Sequence, residues 1–190
     1  SHHSLALTIG DPSGIGPEIC IQALSDFFSG HQKTIIHLFS PLEVFTPKER
    51  QLLKTWIAHK KLVLHSISLE RFRVQPGKPS AKTGRLALMA LDAATSWCMK
   101  GKADALVTGP LDKFVVSQSG ARFAGHTEYL EKKTRSRSVT MILSGKSLTV
   151  ALCTTHIPLR EVARHLTWKR ILQTALHLDQ FLKLQIPRPQ

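Results

Sequence analysis

Apolar and polar positions along this chain fall into blocks whose lengths alternate between those of strands and those of helices. Leu5–Ile9 is a short, mostly apolar run of strand length. After a glycine-rich turn, Cys20, Ala23, Leu24, Phe27 and Phe28 recur at helical spacing, with Pro17 in the first turn. Thr34–Phe39, with Ile35 and Ile36, predicts a second strand. Thr46-Pro47-Lys48-Glu49 has the form of a capping box with proline at the first helical position, which predicts a helix to about His59. Lys61–Ser66 predicts a third strand. Pro76, Gly77 and Pro79 mark Glu70–Pro79 as a loop. Ser80 to Lys100 is rich in alanine and leucine and predicts a long helix stopped by Gly101. Ala103–Val107 predicts another buried strand.

Strand and helix in alternation indicate an α/β fold with a mostly parallel sheet and flanking helices. The pattern then changes. Ser138–Leu143 and Ser147–Cys153 are β-rich runs joined by Ser144-Gly145-Lys146, which predicts a hairpin. Pro158–His165 and Thr167–Leu184 are expected to be helical, with Thr167 as a cap. The chain has no internal repeat and no low-complexity tract.

Composition narrows the class. With 190 residues, 42% hydrophobic and 21% charged, the chain is globular rather than disordered. No apolar run reaches the roughly 18 residues a membrane span needs, and no basic segment followed by an apolar stretch marks a secretory signal. Ser1-His2-His3-Ser4 is set aside as carrying no functional signal. Cys20, Cys98 and Cys153 lie far apart with no C-x-x-C spacing, which reads as three buried thiols in a reducing compartment, the cytoplasm. The balance of 26 Lys+Arg against 13 Asp+Glu is strongly basic. Its densest cluster, Lys132-Lys133-Thr134-Arg135-Ser136-Arg137, has no interleaved aromatics, and no zinc-finger or RNA-motif spacing occurs. No nucleic acid is therefore expected as a partner; the charge is a solvated surface or an attractor of small anions.

Four stretches carry candidate chemistry. The first, TIGDPSGIGPE (Thr8–Glu18), nearly matches a dinucleotide-binding loop. However, Gly14-Ile15-Gly16-Pro17-Glu18-Ile19 has isoleucine where the third glycine must let the helix pack on the strand. A P-loop is also absent, which leaves a tight strand-to-helix turn, either structural or bearing a ligand. In VTGPLDK (Val107–Lys113), Lys113 is either an anion contact or proton-transfer group, or a surface lysine in a helix's first turn. In GHTEYL (Gly125–Leu130), His126 and Thr127 offer an imidazole and a hydroxyl to an anionic or hydroxylated ligand, or simply start a helix. In TTHIPLREV (Thr154–Val162), His156 stands at a predicted strand end, in place for a metal ligand, an acid/base group or a structural role.

Taken in order, these four motifs, with GKPSAKTGRLAL (Gly77–Leu88), make the chain resemble the 4-hydroxythreonine-4-phosphate dehydrogenase family of vitamin B6 (pyridoxal phosphate) biosynthesis, from about Leu5 to Pro189. The resemblance implies an isocitrate/isopropylmalate-dehydrogenase-like fold: two α/β domains with a cleft between them, in a homodimer. It implies NAD(P)-dependent oxidation and decarboxylation of a small phosphorylated substrate, 4-phosphooxy-threonine, with NAD or NADP and a divalent metal (Zn, Mg or Co) held by three histidines. Residue by residue, His126 and Thr127 match the family's substrate contacts and His156 matches the first metal ligand. A cation on the alcohol oxygen would stabilise the alkoxide that releases hydride. The opening loop then lines the cleft rather than forming a dinucleotide turn.

The family's chain is longer. Its other two metal histidines, a later group of substrate contacts and most of the cofactor surface are expected beyond Gln190. Neither His165 nor His177 matches those motifs. Residues 5–130 are expected to form a first α/β domain and 131–190 the truncated start of a second. With one metal ligand of three, this polypeptide alone is expected to bind metal poorly and not to turn over. The competing readings are a paralogue acting on threonate or erythronate 4-phosphate, and a non-catalytic scaffold that keeps the fold.

Overall fold

Strands that read as continuous apolar runs are those covered by helices on both faces. The computed structural model describes residues 3–30 and 33–185; the expectations placed on residues 1, 2 and 186–190 lie outside them. The chain divides into two compact units, Ser1–Thr134 and Arg135–Gln190.

In the first unit β1 (His3–Thr8), β2 (Thr34–Ser40), β3 (Leu62–Ser66) and β4 (Ala105–Thr108) form one sheet in the order β3-β2-β1-β4, with every pair parallel. Leu7 is in register with Leu38 and Val107, and Leu38 with Leu64. One sheet face therefore gathers Leu5, Leu7, Ile36, Leu38, Leu62 and Leu64. It packs on α1 (Gly16–Gly30) through Leu24 and Phe28, and on α2 (Pro47–Ala58) through Leu53 and Trp56. The other face presents Ala6 and Phe39 to Ala90 and Ala94 of α3 (Ala81–Met99). Small residues on both sides let this helix lie close to the sheet.

The helix starts are where the polar signals put them. Thr46 and Glu49 close a reciprocal capping box on α2, with Thr46 N–H donating to Glu49 Oε2 at 2.7 Å and Glu49 N–H to Thr46 Oγ1 at 3.3 Å. Ser80 and Thr83 do the same for α3. Gly101 stops α3 with φ +67, the left-handed conformation that a side chain disfavours. Two short helices follow β4, namely α4 (Lys113–Gln118) and α5 (His126–Thr134). α4 lies against α3 at Gly84, where a Cβ would sit 2.4 Å from the Val115 carbonyl oxygen.

The second unit holds an antiparallel hairpin of β5 (Met141–Ser144) and β6 (Thr149–Leu152); β5 starts three residues later and ends one residue later than the sequence predicts, and β6 is shorter at both ends. Gly145 N–H donates to the Leu148 carbonyl at 2.9 Å, which closes the turn and takes Ser147 and Leu148 out of the ladder. The segment predicted helical over Pro158–His165 is a 3-10 turn, Leu159–Glu161, followed by α6 (Val162–His165). α7 (Trp168–Gln185) is capped by Thr167 Oγ1, which accepts from Arg170 N–H at 3.3 Å.

The expectation of three buried thiols needs correcting. All three cysteines are free, but only Cys20 is buried. Burial pushes its thiol up to about 12. Cys98 ends near the exposed last turn of α3 and Cys153 follows the edge of a two-stranded sheet, so both are half-buried. No helix among the described residues is long and apolar enough to cross a membrane.

Candidate functional site

In a parallel α/β sheet, ligands bind outside the carboxyl ends of the strands, where the strand order reverses. Here that point lies between β1 and β4. The chain leaves β1 toward α1 on one face of the sheet, and it enters β4 from α3 on the other. The opening loop and the VTGPLDK loop both emerge at this point.

The two loops cross at backbone contact. Asp11 N–H donates to the Pro110 carbonyl at 2.9 Å and Gly109 N–H to the Thr8 carbonyl at 2.7 Å. A Cβ on Gly10, whose φ is +78, would lie 2.0 Å from the Pro110 oxygen, and one on Gly109 would lie 2.2 Å from the Ile9 oxygen. Gly16 is held as tightly, since its Cβ would meet the Ile9 oxygen at 1.9 Å. These glycines are spent on letting backbone cross backbone and letting α1 start against β1. They do not form a cradle for a pyrophosphate. Ile19, at the position of the missing third glycine, is exposed.

Beside the crossing lies a cavity of about 430 Å³, lined by Asp11, Ser13, Gly77, Pro79, Pro110 and Asp112 among others. Asp11 accepts from Ser13 N–H at 2.9 Å and from Ser13 Oγ–H at 2.8 Å, and buried Ser13 accepts from Gly77 N–H at 2.8 Å. This chain of bonds ties the Glu70–Pro79 loop to the opening loop. Asp112 is the cap of α4; its Oδ1 accepts from Phe114 N–H at 2.8 Å and Val115 N–H at 3.2 Å. Sequence reasoning singled out Lys113 and missed Asp112, although an aspartate just before Lys113-Phe114-Val115 is a recognisable N-cap.

Lys113 is the first residue of α4, and its side chain reaches toward the start of α5: Lys113 Cε lies 3.8 Å, and Glu128 Oε2 2.7 Å, from where a Gly125 Cβ would be. His126 opens α5, with its ring edge-to-face on Phe123 at 5.6 Å. Burial lowers the His126 pKa, and the Lys113 charge lowers it further, so the imidazole is neutral at physiological pH. Its Nε2 is buried and, among the described residues, has no hydrogen-bond partner. A buried polar atom left unpaired costs stability unless a ligand satisfies it. Thr127 is half-buried beside it.

A triad that the sequence did not reveal holds α5 in place. Tyr129 Oη–H donates to Asp92 Oδ1 on α3, and Lys133 Nζ meets the same oxygen at 2.8 Å. Burial and this hydrogen bond raise the Tyr129 pKa, so the phenol stays protonated. A second unpredicted cluster lies under α3, where His37 Nδ1 and His65 Nε2 are 3.0 Å apart beside Trp97.

The structure thus brings Lys113, His126 and Thr127 together. His156 belongs to the second unit, after β6, where it is exposed and takes a φ of +57. Such a left-handed conformation is uncommon outside glycine and often marks functional positions. No group of three or more His, Cys, Asp or Glu among the described residues is arranged to hold a metal ion. The donor set implied by the resemblance is therefore not assembled among the described residues. His177 is engaged structurally, with Nδ1 at 2.7 Å from Thr140 Oγ1 and Nε2 at 2.8 Å from Gln173 Nε2.

Fold and crevice define an α/β protein with a parallel sheet and a cavity at its strand ends. Residues 23–190 match the family described as pyridoxal phosphate biosynthetic protein PdxA, and the chain belongs to that family. A 4-hydroxythreonine-4-phosphate dehydrogenase of Burkholderia vietnamiensis is 34% identical over 191 residues, an alignment covering 94% of this chain and 56% of the relative. One from Acidithiobacillus ferrooxidans is 36% identical over 194 residues, covering 92% and 57%. The crystal structure of 4-hydroxythreonine-4-phosphate dehydrogenase from Klebsiella pneumoniae superposes with a TM-score of 0.77 at 28% identity, covering 99% of this chain and 62% of that one. The chain spans a little over half the length of the curated relatives it matches.

Proposed function

We propose that this chain is the amino-terminal portion of a dehydrogenase that oxidises and decarboxylates 4-phosphooxy-threonine, using NAD or NADP, in pyridoxal phosphate biosynthesis. The observation that carries the reading is the neutral, half-buried His126, its buried Nε2 unpaired beside Lys113 and Thr127, in a chain of this family. A neutral imidazole N–H donates to an anionic or hydroxyl oxygen without adding charge, while Lys113 supplies the positive charge a phosphate or carboxylate needs. Thr127 adds a hydroxyl. Burial around Phe123 and Tyr129 excludes water and fixes the ring.

When bound, the nicotinamide cofactor accepts the hydride. The glycines of the opening loop are taken up by backbone crossing, so they are not given the task of holding its pyrophosphate. The divalent metal, too, lacks a complete donor set; His156 supplies one imidazole, and no step is drawn through the ion. The proposal includes a homodimer, a cytoplasmic setting and a phosphorylated small substrate, and excludes nucleic acid as a partner. It also treats 5–130 and 131–190 as parts of two domains, with this chain inactive alone.

The test is reduction of NAD and NADP with 4-phosphooxy-threonine, by the chain alone and mixed with the carboxy-terminal part of a curated relative. Turnover only in the mixture is the expected result. Turnover only on threonate or erythronate 4-phosphate would replace the substrate. Restored turnover that survives His126→Ala unchanged would remove the site.

A further inference from the structure

α5 has nine residues, and none of them is buried. So short a helix is not stable by itself, and partly buried apolar contacts hold it in place without fixing its direction. Its rotation about its own axis is set by polar contacts to α3. Asp92 Oδ1 accepts from the Tyr129 hydroxyl and from Lys133 Nζ, the latter at 2.8 Å. Tyr129 and Lys133 stand four residues apart on one face of α5, so a single carboxylate grips that face at two points one turn apart. Hydrogen bonds to an ionised acceptor are directional and roughly twice as strong as neutral ones.

His126 lies three residues before Tyr129, next to it on the helix surface. Phe123 is wedged between the two rings, with centres 5.4 Å from Tyr129 and 5.6 Å from His126. Phe123 is itself buried in a cluster with Leu91 and Val116. Leu91, fully buried, is the neighbour of Asp92 on α3. One residue of α3 therefore supports Phe123 from beneath, and the next draws Tyr129 down beside it. Turning α5 far enough to break the Tyr129 bond would slide His126 off Phe123. The His126 Nε2, buried and without a hydrogen-bond partner among the described residues, would then open to water.

We propose that Asp92 is a positioning residue for His126: acting through Tyr129 and Phe123, it sets the orientation of the imidazole and keeps Nε2 dry and free for a ligand oxygen. The inference rests on the reading of His126 as a substrate contact, but its first readout is the ring itself and needs no ligand.

The test is NMR titration of the His126 ring in the whole chain and its variants, followed by binding of 4-phosphooxy-threonine. Lys113, the charge that acts on the ring, stays in place throughout. Tyr129→Phe keeps the aromatic contact with Phe123 and removes only the hydroxyl, and Asp92→Ala removes the acceptor. Both are expected to raise the His126 pKa toward the ordinary 6.5 as the ring gains solvent. Both should also weaken the ligand about fivefold, which is what one neutral hydrogen bond contributes. Asp92→Asn keeps an oxygen in the acceptor's place and should restore the parent titration and affinity. Leu53→Ala, in the core on the other face of the sheet, destabilises the chain and should leave the titration of the ring unchanged. A parent-like titration in either Tyr129→Phe or Asp92→Ala, an equal shift in Leu53→Ala, or no rescue by Asp92→Asn would overturn the proposal. Should the titrations follow the expected order while the parent chain binds no 4-phosphooxy-threonine, the positioning role stands and the substrate reading falls.

Discussion

Gly84 is the place where the packing that positions the candidate site can be perturbed by one methyl group. An alanine Cβ there would lie 2.4 Å from the Val115 carbonyl oxygen, 2.8 Å from its carbon and 3.0 Å from Val116 Cα, all backbone atoms of α4. Ordinary contact begins near 3.4 Å, so α4 must retreat by about 1 Å or α3 must leave the sheet. Overpacking of this kind costs about 3 kcal/mol when neither partner can rotate away. Alanine recovers about 1 kcal/mol through its better helix propensity. The net expectation for Gly84→Ala is a loss of about 2 kcal/mol, or a midpoint lowered by about 5 °C for a chain of this size. Urea and thermal denaturation read this directly. Gly30→Ala, at the end of α1 with nothing within 4 Å of the added carbon, is the control and should change stability by less than about 0.5 kcal/mol. The retreat would also carry Lys113, at the head of α4, away from α5. An alanine variant as stable as the parent would refute the close approach of α3 and α4.

Replacing Lys113 with methionine should raise the His126 pKa, because one of the two causes that lower it is gone, while burial keeps it below the ordinary 6.5; an unchanged NMR titration of the ring protons would separate the two side chains. His37 and His65 also have pKa values lowered by burial, so an unfolding chain takes up protons before the folded one. Stability should therefore be full above pH 6.5 and decline as the pH falls below it. His65→Phe should flatten that decline between pH 7.5 and 5.5 in urea titrations, and an unaltered slope would exclude the pair as its source. Asp92→Ala leaves the Tyr129 hydroxyl without its acceptor and should cost about 2 kcal/mol. Lys133→Met removes only a pair whose side chains are 41% and 40% exposed and should cost less than about 1 kcal/mol, so equal losses would contradict that ranking. Thiol titration should find Cys153 reactive in the native chain, Cys98 slower because burial and the Asp104 charge push its thiol up, and Cys20 only after denaturation.

The parts of the fold that could be read from sequence are those set by neighbours along the chain. Thr46 with Glu49, Thr167, and Gly101 mark helix ends with local hydrogen bonds or a local φ, and each stands where the pattern placed it. The inner strands β1 and β2 were legible as apolar runs, but β4, expected to be buried, lies at the sheet edge with Ala105 and Val107 exposed, because only β1 pairs with it. The hairpin was overextended because β-propensity continues through Val139 and Leu148, whereas pairing stops at the register Met141 with Leu152 and Ser144 with Thr149. The site was legible only in outline. Strand ends pointed to Lys113 and His126, but nothing local says that the Lys113 charge reaches the His126 ring, or that Gly10 and Gly109 face each other's loops. Asp92 and Tyr129 lie 37 residues apart and His37 and His65 lie 28 apart, so those contacts depend on the tertiary fold.

His126 is the group expected to receive the phosphorylated ligand. Titration of the chain with 4-phosphooxy-threonine, followed at the His126 ring protons, is the measurement closest to that claim. A saturable shift of those protons, with binding lost in His126→Ala, is the predicted result. Saturable binding that leaves the ring protons unmoved and persists in the alanine variant would contradict it.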